Sequence, residues 1–182
     1  MIKLIEDLWY KQRNIVSDDY EEALQYISKI IPLAIHEVPS GEKCWTWTIP
    51  DKWTVNEAWI EDLDGNRLLD FKDHPLHVIS YSLPIDKIVT KKELLEHIHT
   101  NSERPDAIPF EFKYYQKDWG FCIEHNKLKK FTKEQYKIRI DSKFENGSIK
   151  IGDFTVKGKS KETIVLVAHL CHPSMVNDDL AG

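Results

Sequence analysis

A short, unbroken apolar run near the end of the chain is the feature that most limits its fold. Ile164-Val-Leu-Val-Ala168 carries no polar residue, whereas a strand with one wet face would alternate. The run therefore predicts a strand buried on both faces of a parallel sheet, in an α/β protein. His169, Cys171, His172, Asp178 and Asp179 follow at once, closed by Gly182. Open α/β sheets place their chemistry at the carboxyl ends of strands. Imidazole and carboxylate gathered there are a common way to hold a divalent metal. The layout reads as the front part of a metallohydrolase, with the remaining ligands and a general base expected beyond Gly182.

Pro173 forces the residue before it into extended backbone, so His172 is held in place just past the strand. Strand alternation would set His169 and Cys171 on one face and His172 on the other, so the two histidines need not serve one site. The plainer alternative is a buried, hydrogen-bonded histidine beside solvated loop acids. Two histidines and an acidic pair in one segment favour metal. In Asn177-Asp178-Asp179-Leu-Ala-Gly182 a carboxylate facing two ways could bridge two cations about 3.5–4 Å apart. The small residues after it would let a helix start close to the sheet. An ordinary helix N-cap is the competing use of the same residues.

Composition narrows the class. Of 182 residues, 41% are hydrophobic and 30% charged, with a net charge of −5. That is enough for one core or a core with a small module, and it offers no basic field for nucleic acid or an anionic membrane. No apolar run reaches the roughly 18 residues of a spanning helix, and the first residues lack a signal-peptide layout. The three cysteines, Cys44, Cys122 and Cys171, form no CxxC pair. An odd count of that kind fits a reducing compartment, so a cytoplasmic protein is expected.

Residues 1–31 read as two helices, with Ser17-Asp18-Asp19 capping the second and Pro32 ending it. Leu33–Val38 reads as a strand, stopped by Pro39-Ser-Gly41. From Cys44 to about Ile151 the texture changes to short aromatic or β-branched runs with turn signals between them, notably Asp64-Gly65 and Asn146-Gly147. These include Ala58-Trp-Ile, Leu68-Leu-Asp-Phe, His77–Ser82, Trp119–Ile123 and Tyr136–Ile140. Only Thr90–Thr100 looks helical there, with Thr90 as cap and Glu93 completing a capping box. An antiparallel β module, inserted between two parts of an α/β core, is the expected organisation. Trp45, Trp47, Trp53, Trp59 and Trp119 are expected to pack inside or against this module. His74, His77, His97 and His99 are expected to be structural or exposed.

Cys171-His-Pro-Ser-Met-Val-Asn-Asp-Asp-Leu-Ala-Gly182 resembles the signature of a bacterial aminopeptidase-like family of the zinc-aminopeptidase superfamily, associated with polysaccharide biosynthesis. Arg13-Asn-Ile-Val, Val38-Pro-Ser-Gly41 and Trp47-Thr-Ile-Pro-Asp-Lys-Trp53 extend the resemblance. So do Asp70–Ser82, Asp106-Ala-Ile-Pro-Phe110 and Tyr114–Cys122, so that it covers nearly the whole chain. Thr46 departs from the aspartate the family pattern leads one to expect there, and Cys171 falls where the wider superfamily has an aspartate behind its ligands.

The resemblance implies an aminopeptidase-like open sheet, with residues 1–48 and 149–182 as parts of the core and 49–148 as a β-rich insert. It implies a zinc-dependent hydrolase, an aminopeptidase-type metallopeptidase holding one or two zinc ions. His172 and Asp178 would be ligands, with His169 and Asp179 as alternatives, and Cys171 and Asn177 would support them. The expected substrate is a peptide or aminoacyl small molecule, with neither nucleic acid nor membrane as partner and homo-oligomer formation left open. Two convincing ligands cannot complete a zinc site, so these 182 residues alone are expected to bind zinc weakly and to be inactive. The competing expectation is a non-catalytic protein of the same fold that binds a sugar or a protein in polysaccharide biosynthesis.

Overall fold

The computed structural model describes residues 2–174 and 176. Asp178, Asp179 and Asn177 lie outside the described residues. The chain divides into two compact units, one made of residues up to Lys52 and from Asn146 onward, the other of Trp53–Glu145.

The first unit opens with α1 (Ile2–Leu8) and α2 (Asp18–Ser28). Ser17 caps α2, its Oγ accepting from the Tyr20 amide at 3.2 Å, and Asp18, Asp19 and Glu21 put negative charge on the positive end of the helix dipole. The helix stops at Ser28, before Pro32. The Lys29 and Ile30 amides bond the Tyr26 and Ile27 carbonyls, three residues back, and this tightened turn leaves the helical path ahead of the proline. Leu8 and Ala23 are buried between the helices, with Leu4, Ile5, Tyr26, Ile27 and Leu170 packed on them. β1 (Ala34–Pro39) pairs antiparallel with β10 (Ser148–Asp153), from Ala34 opposite Asp153 to Pro39 opposite Ser148. Between them in sequence, β2 (Lys43–Cys44) and β3 (Trp47–Thr48) form a small hairpin.

The apolar run overturns the first expectation. Ile164–Ala168 forms no strand, and Ile164, Val165, Leu166 and Val167 are 90%, 73%, 92% and 89% exposed. A strand buried on both faces needs ladder partners along its edges and a layer on each side. In this unit β1 and β10 pair with each other, and no described strand pairs the run. The expected parallel open sheet is therefore corrected to a mixed α/β fold whose described sheets are antiparallel, apart from one two-residue parallel pair.

The second unit is built on a four-stranded sheet in the order β5-β4-β9-β6, from β4 (Lys52–Asp62), β5 (Arg67–Asp70), β6 (Ile85–Thr90) and β9 (Gln135–Glu145). The Asp64-Gly65 signal makes the expected turn between β4 and β5, with Gly65 at φ +87° and the Asp62 carboxylate accepting from the Asp64 and Asn66 amides. Along β9, Tyr136, Ile138, Ile140 and Ser142 alternate inward, the period-two pattern of a half-buried strand. After β6 comes α3 (Lys91–Glu96), capped by Thr90, whose Oγ1 accepts from the Glu93 amide at 3.2 Å. Glu93 does not close the box as expected but takes the Lys87 ammonium at 2.6 Å.

Three further expectations give way. The helix expected through Thr100 ends at Glu96, because the His97 carbonyl accepts from the Phe121 amide while β7 (Ile98–His99) pairs in parallel with β8 (Phe121–Cys122). His77–Ser82 is no strand: a single tight turn at Pro75–His77 is followed by lone bridges from Val78 to Phe121 and from Ser80 to Phe112. Asn146-Gly147 joins no hairpin, since β9 and β10 lie in different sheets. Glycine is required there for another reason. A Cβ at Gly147 would stand 2.8 Å from Lys52 Cβ and 2.9 Å from Val16 Cγ1.

Of the tryptophans, Trp53, Trp59 and Trp119 are buried and Trp47 half-buried, but Trp45 is 99% exposed at the β2–β3 turn with φ +54°. His77 is buried and its Nδ1 bonds the Cys122 carbonyl at 2.8 Å, and His97 stacks on Trp119 with ring centroids 3.8 Å apart. These histidines are structural. Burial lowers the pKa of both His74 and His77 from 6.5, and each ring also adjoins Glu124 and Lys127. Below 6.5 the unfolded chain takes up protons that the folded unit resists. Stability should therefore be full above about pH 6.5 and fall as pH drops from there toward the lowered folded values. Urea midpoints at pH 7.5 and at about pH 5 test this, and His77→Asn should flatten the slope. An equal midpoint at both values would show that burial of these rings is not felt.

Candidate metal site

The loop after α1 and the segment Leu170–Ser174 assemble the site within the first unit. Leu170 inserts its side chain among the residues that join α1 and α2, so hydrophobic burial fixes the residue between the two chemistry-bearing positions. Arg13, 0% exposed, donates from Nε to the Leu170 carbonyl at 3.0 Å and from a terminal nitrogen to the Leu8 carbonyl. Past the histidine, the Ser174 amide donates to the Lys11 carbonyl at 3.4 Å, in a turn where Ser174 has φ +52°.

These ties bring His169, Cys171 and His172 together, each offering a ligand atom, and the three atoms lie within 4.8 Å of one another. The imidazoles meet edge to face, centroids 5.0 Å apart at 77°. Strand alternation had separated the two histidines. It fails because no strand forms here, so the two side chains are not held on opposite faces. Cys171 and His172 are half-buried and His169 is exposed. Among the described residues this is the one such group of three.

The donor set is nitrogen, sulfur, nitrogen, which suits a borderline-soft ion such as zinc. Tetrahedral zinc with these ligands separates its donor atoms by about 3.3–3.6 Å, given Zn–N near 2.0 Å and Zn–S near 2.3 Å. The observed spread of up to 4.8 Å would have to close to that geometry by side-chain rotation, and a fourth ligand would come from elsewhere.

Beside the cluster lies a cleft of about 400 Å³ whose wall includes Leu4, Leu24, Ile27, Ile151, His169 and Cys171. Tyr20 also lines it. Burial, with a contribution from the nearby Cys171 thiol, pushes its hydroxyl up to about 12, so it remains a neutral donor at ordinary pH. Burial pulls the Arg13 guanidinium down, while Asp19 and Cys171 act in the opposite direction. Sequence reasoning did not select Arg13 or Tyr20 for the site. Both precede it by some 150 residues, and no local pattern links them to it.

Residues 52–143 match the model of a family described as a domain of unknown function, DUF2172. The match spans just over half of the 182 residues. The chain belongs to the DUF2172 family. The matched stretch is the unit of β4, β9 and their neighbours, and the His169–His172 segment lies outside it. A Clostridium acetobutylicum protein named "putative polysaccharide biosynthesis protein with aminopeptidase-like domain" is 40% identical over 179 residues, covering 98% of this chain and 41% of its own length. A crystal structure of a "putative peptidase" from the same organism superposes with a TM-score of 0.90 at 39% identity, covering 98% of this chain and 42% of that one. The chain thus spans less than half the length of the relatives it matches. Among the described residues, no helix is long and apolar enough to cross a membrane.

Proposed function

We propose that this chain carries part of the metal site of a zinc-dependent, aminopeptidase-like hydrolase that works in polysaccharide biosynthesis in the cytoplasm. The observation that supports the reading best is the convergence of the His169, Cys171 and His172 donor atoms within 4.8 Å. His172 and Asp178 are the leading ligands, with His169 and Asp179 the alternatives, and Cys171 stands close enough to the two histidines to join them. Zinc would polarise a scissile carbonyl and lower the pKa of bound water toward about 7. The chain's own residues hold and orient. Pro173 restricts His172, Leu170 anchors the segment in the helix pair, and Tyr20 lines the cleft beside His169. The largely apolar cleft wall, which also carries Lys150, suits an uncharged side chain of a peptide or aminoacyl small molecule.

Metal analysis of the full-length protein, with hydrolysis of aminoacyl chromogenic substrates before and after chelation, tests the proposal. One or two zinc ions per chain are expected, with activity lost on chelation and restored by zinc. Absence of both metal and hydrolysis would overturn the enzyme reading and leave a sugar- or protein-binding role.

A further inference from the structure

We propose that Arg13 is the positioning residue of the metal segment, a buried two-pronged clamp that sets where Cys171 and His172 stand; the proposal rests on the metal-site reading above. A guanidinium with 0% exposure is costly to place unless its donors are met. Here the donors meet two backbone carbonyls with different duties. Leu8 is the last residue of α1, and its carbonyl, which the Lys11 amide reaches at 3.2 Å in the turn that follows, also accepts from Arg13. Leu170 is the residue immediately before Cys171, and its carbonyl accepts from Arg13 Nε at 3.0 Å. One rigid fork thus joins the end of α1 to the peptide that carries the Cys171 sulfur.

The second tie lies on the other side of the donors, where the Ser174 amide reaches the Lys11 carbonyl at 3.4 Å. Cys171 and His172 therefore sit on a short bridge pinned at both ends to the same loop, Leu8–Arg13. The bridge belongs to no helix or strand, so no ladder of backbone bonds fixes it. Among the described contacts, these two ties and the half-buried Leu170 side chain hold it. Of the three, only Arg13 reaches the peptide adjoining a donor residue. Lysine cannot replace it, since a single ammonium on a flexible stem has no planar fork with which to address both carbonyls.

Cobalt titration of the full-length protein and of its Arg13→Lys variant separates this role from general folding. The wild-type protein should take up one or two cobalt ions per chain and develop a sulfur-to-cobalt charge-transfer band. Arg13→Lys should keep its far-UV circular dichroism, bind cobalt at least tenfold more weakly and lose most of the sulfur band. Arg13→Gln, which keeps a donor in the buried slot, should fall in between. If wild type and Arg13→Lys bind with equal affinity and the same spectrum, the clamp is refuted while the metal site stands. If the wild-type full-length protein takes up no cobalt, the metal-site reading itself fails and the clamp with it. If both variants are unfolded with and without metal, Arg13 serves folding alone and the proposal is overturned.

Discussion

Replacing His172 with alanine in the full-length protein should empty the metal site, weakening zinc binding more than about 100-fold and abolishing hydrolysis. Losing a residue that merely supports a ligand usually costs 10–100-fold, and a ligand should exceed that range. His172 is half-buried ahead of a buried proline, so little entropy is lost when it engages a metal. His169 is exposed, its ring 5.0 Å from that of His172, and His169→Ala should have the smaller effect. Asp178→Asn should resemble His172→Ala, because a bridging ligand needs its full charge, and Asp179→Asn should be milder. Zinc content by elemental analysis, beside the rate on an aminoacyl substrate, gives the ranking. If His169→Ala empties the site while His172→Ala leaves it filled, the assignment is reversed.

Local chemistry was the part of the fold legible in the sequence. Ser17 and Thr90 announced their helices because a cap needs only a hydroxyl and the amides two or three residues on. Asp64-Gly65 announced its turn because positive φ is a property of the residue itself. Tyr136–Ile140 announced a strand because one face of β9 is wet and the pattern alternates. What failed depended on distant partners. Asn146-Gly147 has the composition of a hairpin turn, yet its flanking strands pair elsewhere. Ile164–Ala168 has the composition of a buried strand, and burial requires a sheet that no described strand supplies. The site divides along the same line. His169, Cys171 and His172 were visible because they are neighbours in sequence, whereas Arg13 was not, since its bond to Leu170 is a fact of tertiary structure.

Two tryptophans with similar sequence surroundings should differ by several kcal/mol in what their loss costs. Trp53 is 1% exposed, stacks on Tyr81 with centroids 5.9 Å apart, and donates from Nε1 to the Ser82 carbonyl at 3.0 Å. That carbonyl also accepts from Ser142 Oγ at 2.8 Å, and Ser82 Oγ donates to the Ile79 carbonyl at 2.7 Å. The indole therefore fills the core and completes a buried polar junction at once. Trp53→Ala should cost about 3–5 kcal/mol through lost burial and the cavity left behind. Against a typical total of about 5–15 kcal/mol, that would leave the unit marginal or unfolded. Trp45 is 99% exposed at a hairpin tip, so Trp45→Ala should stay within about 0.5 kcal/mol of wild type. Urea titration followed by far-UV circular dichroism measures both without relying on the fluorophore removed. A cost below about 1 kcal/mol for Trp53→Ala would mean that the Trp53–Tyr81–Ser82 junction does not hold the sheet to its loops, because a cavity of that size cannot be closed so cheaply in a packed core.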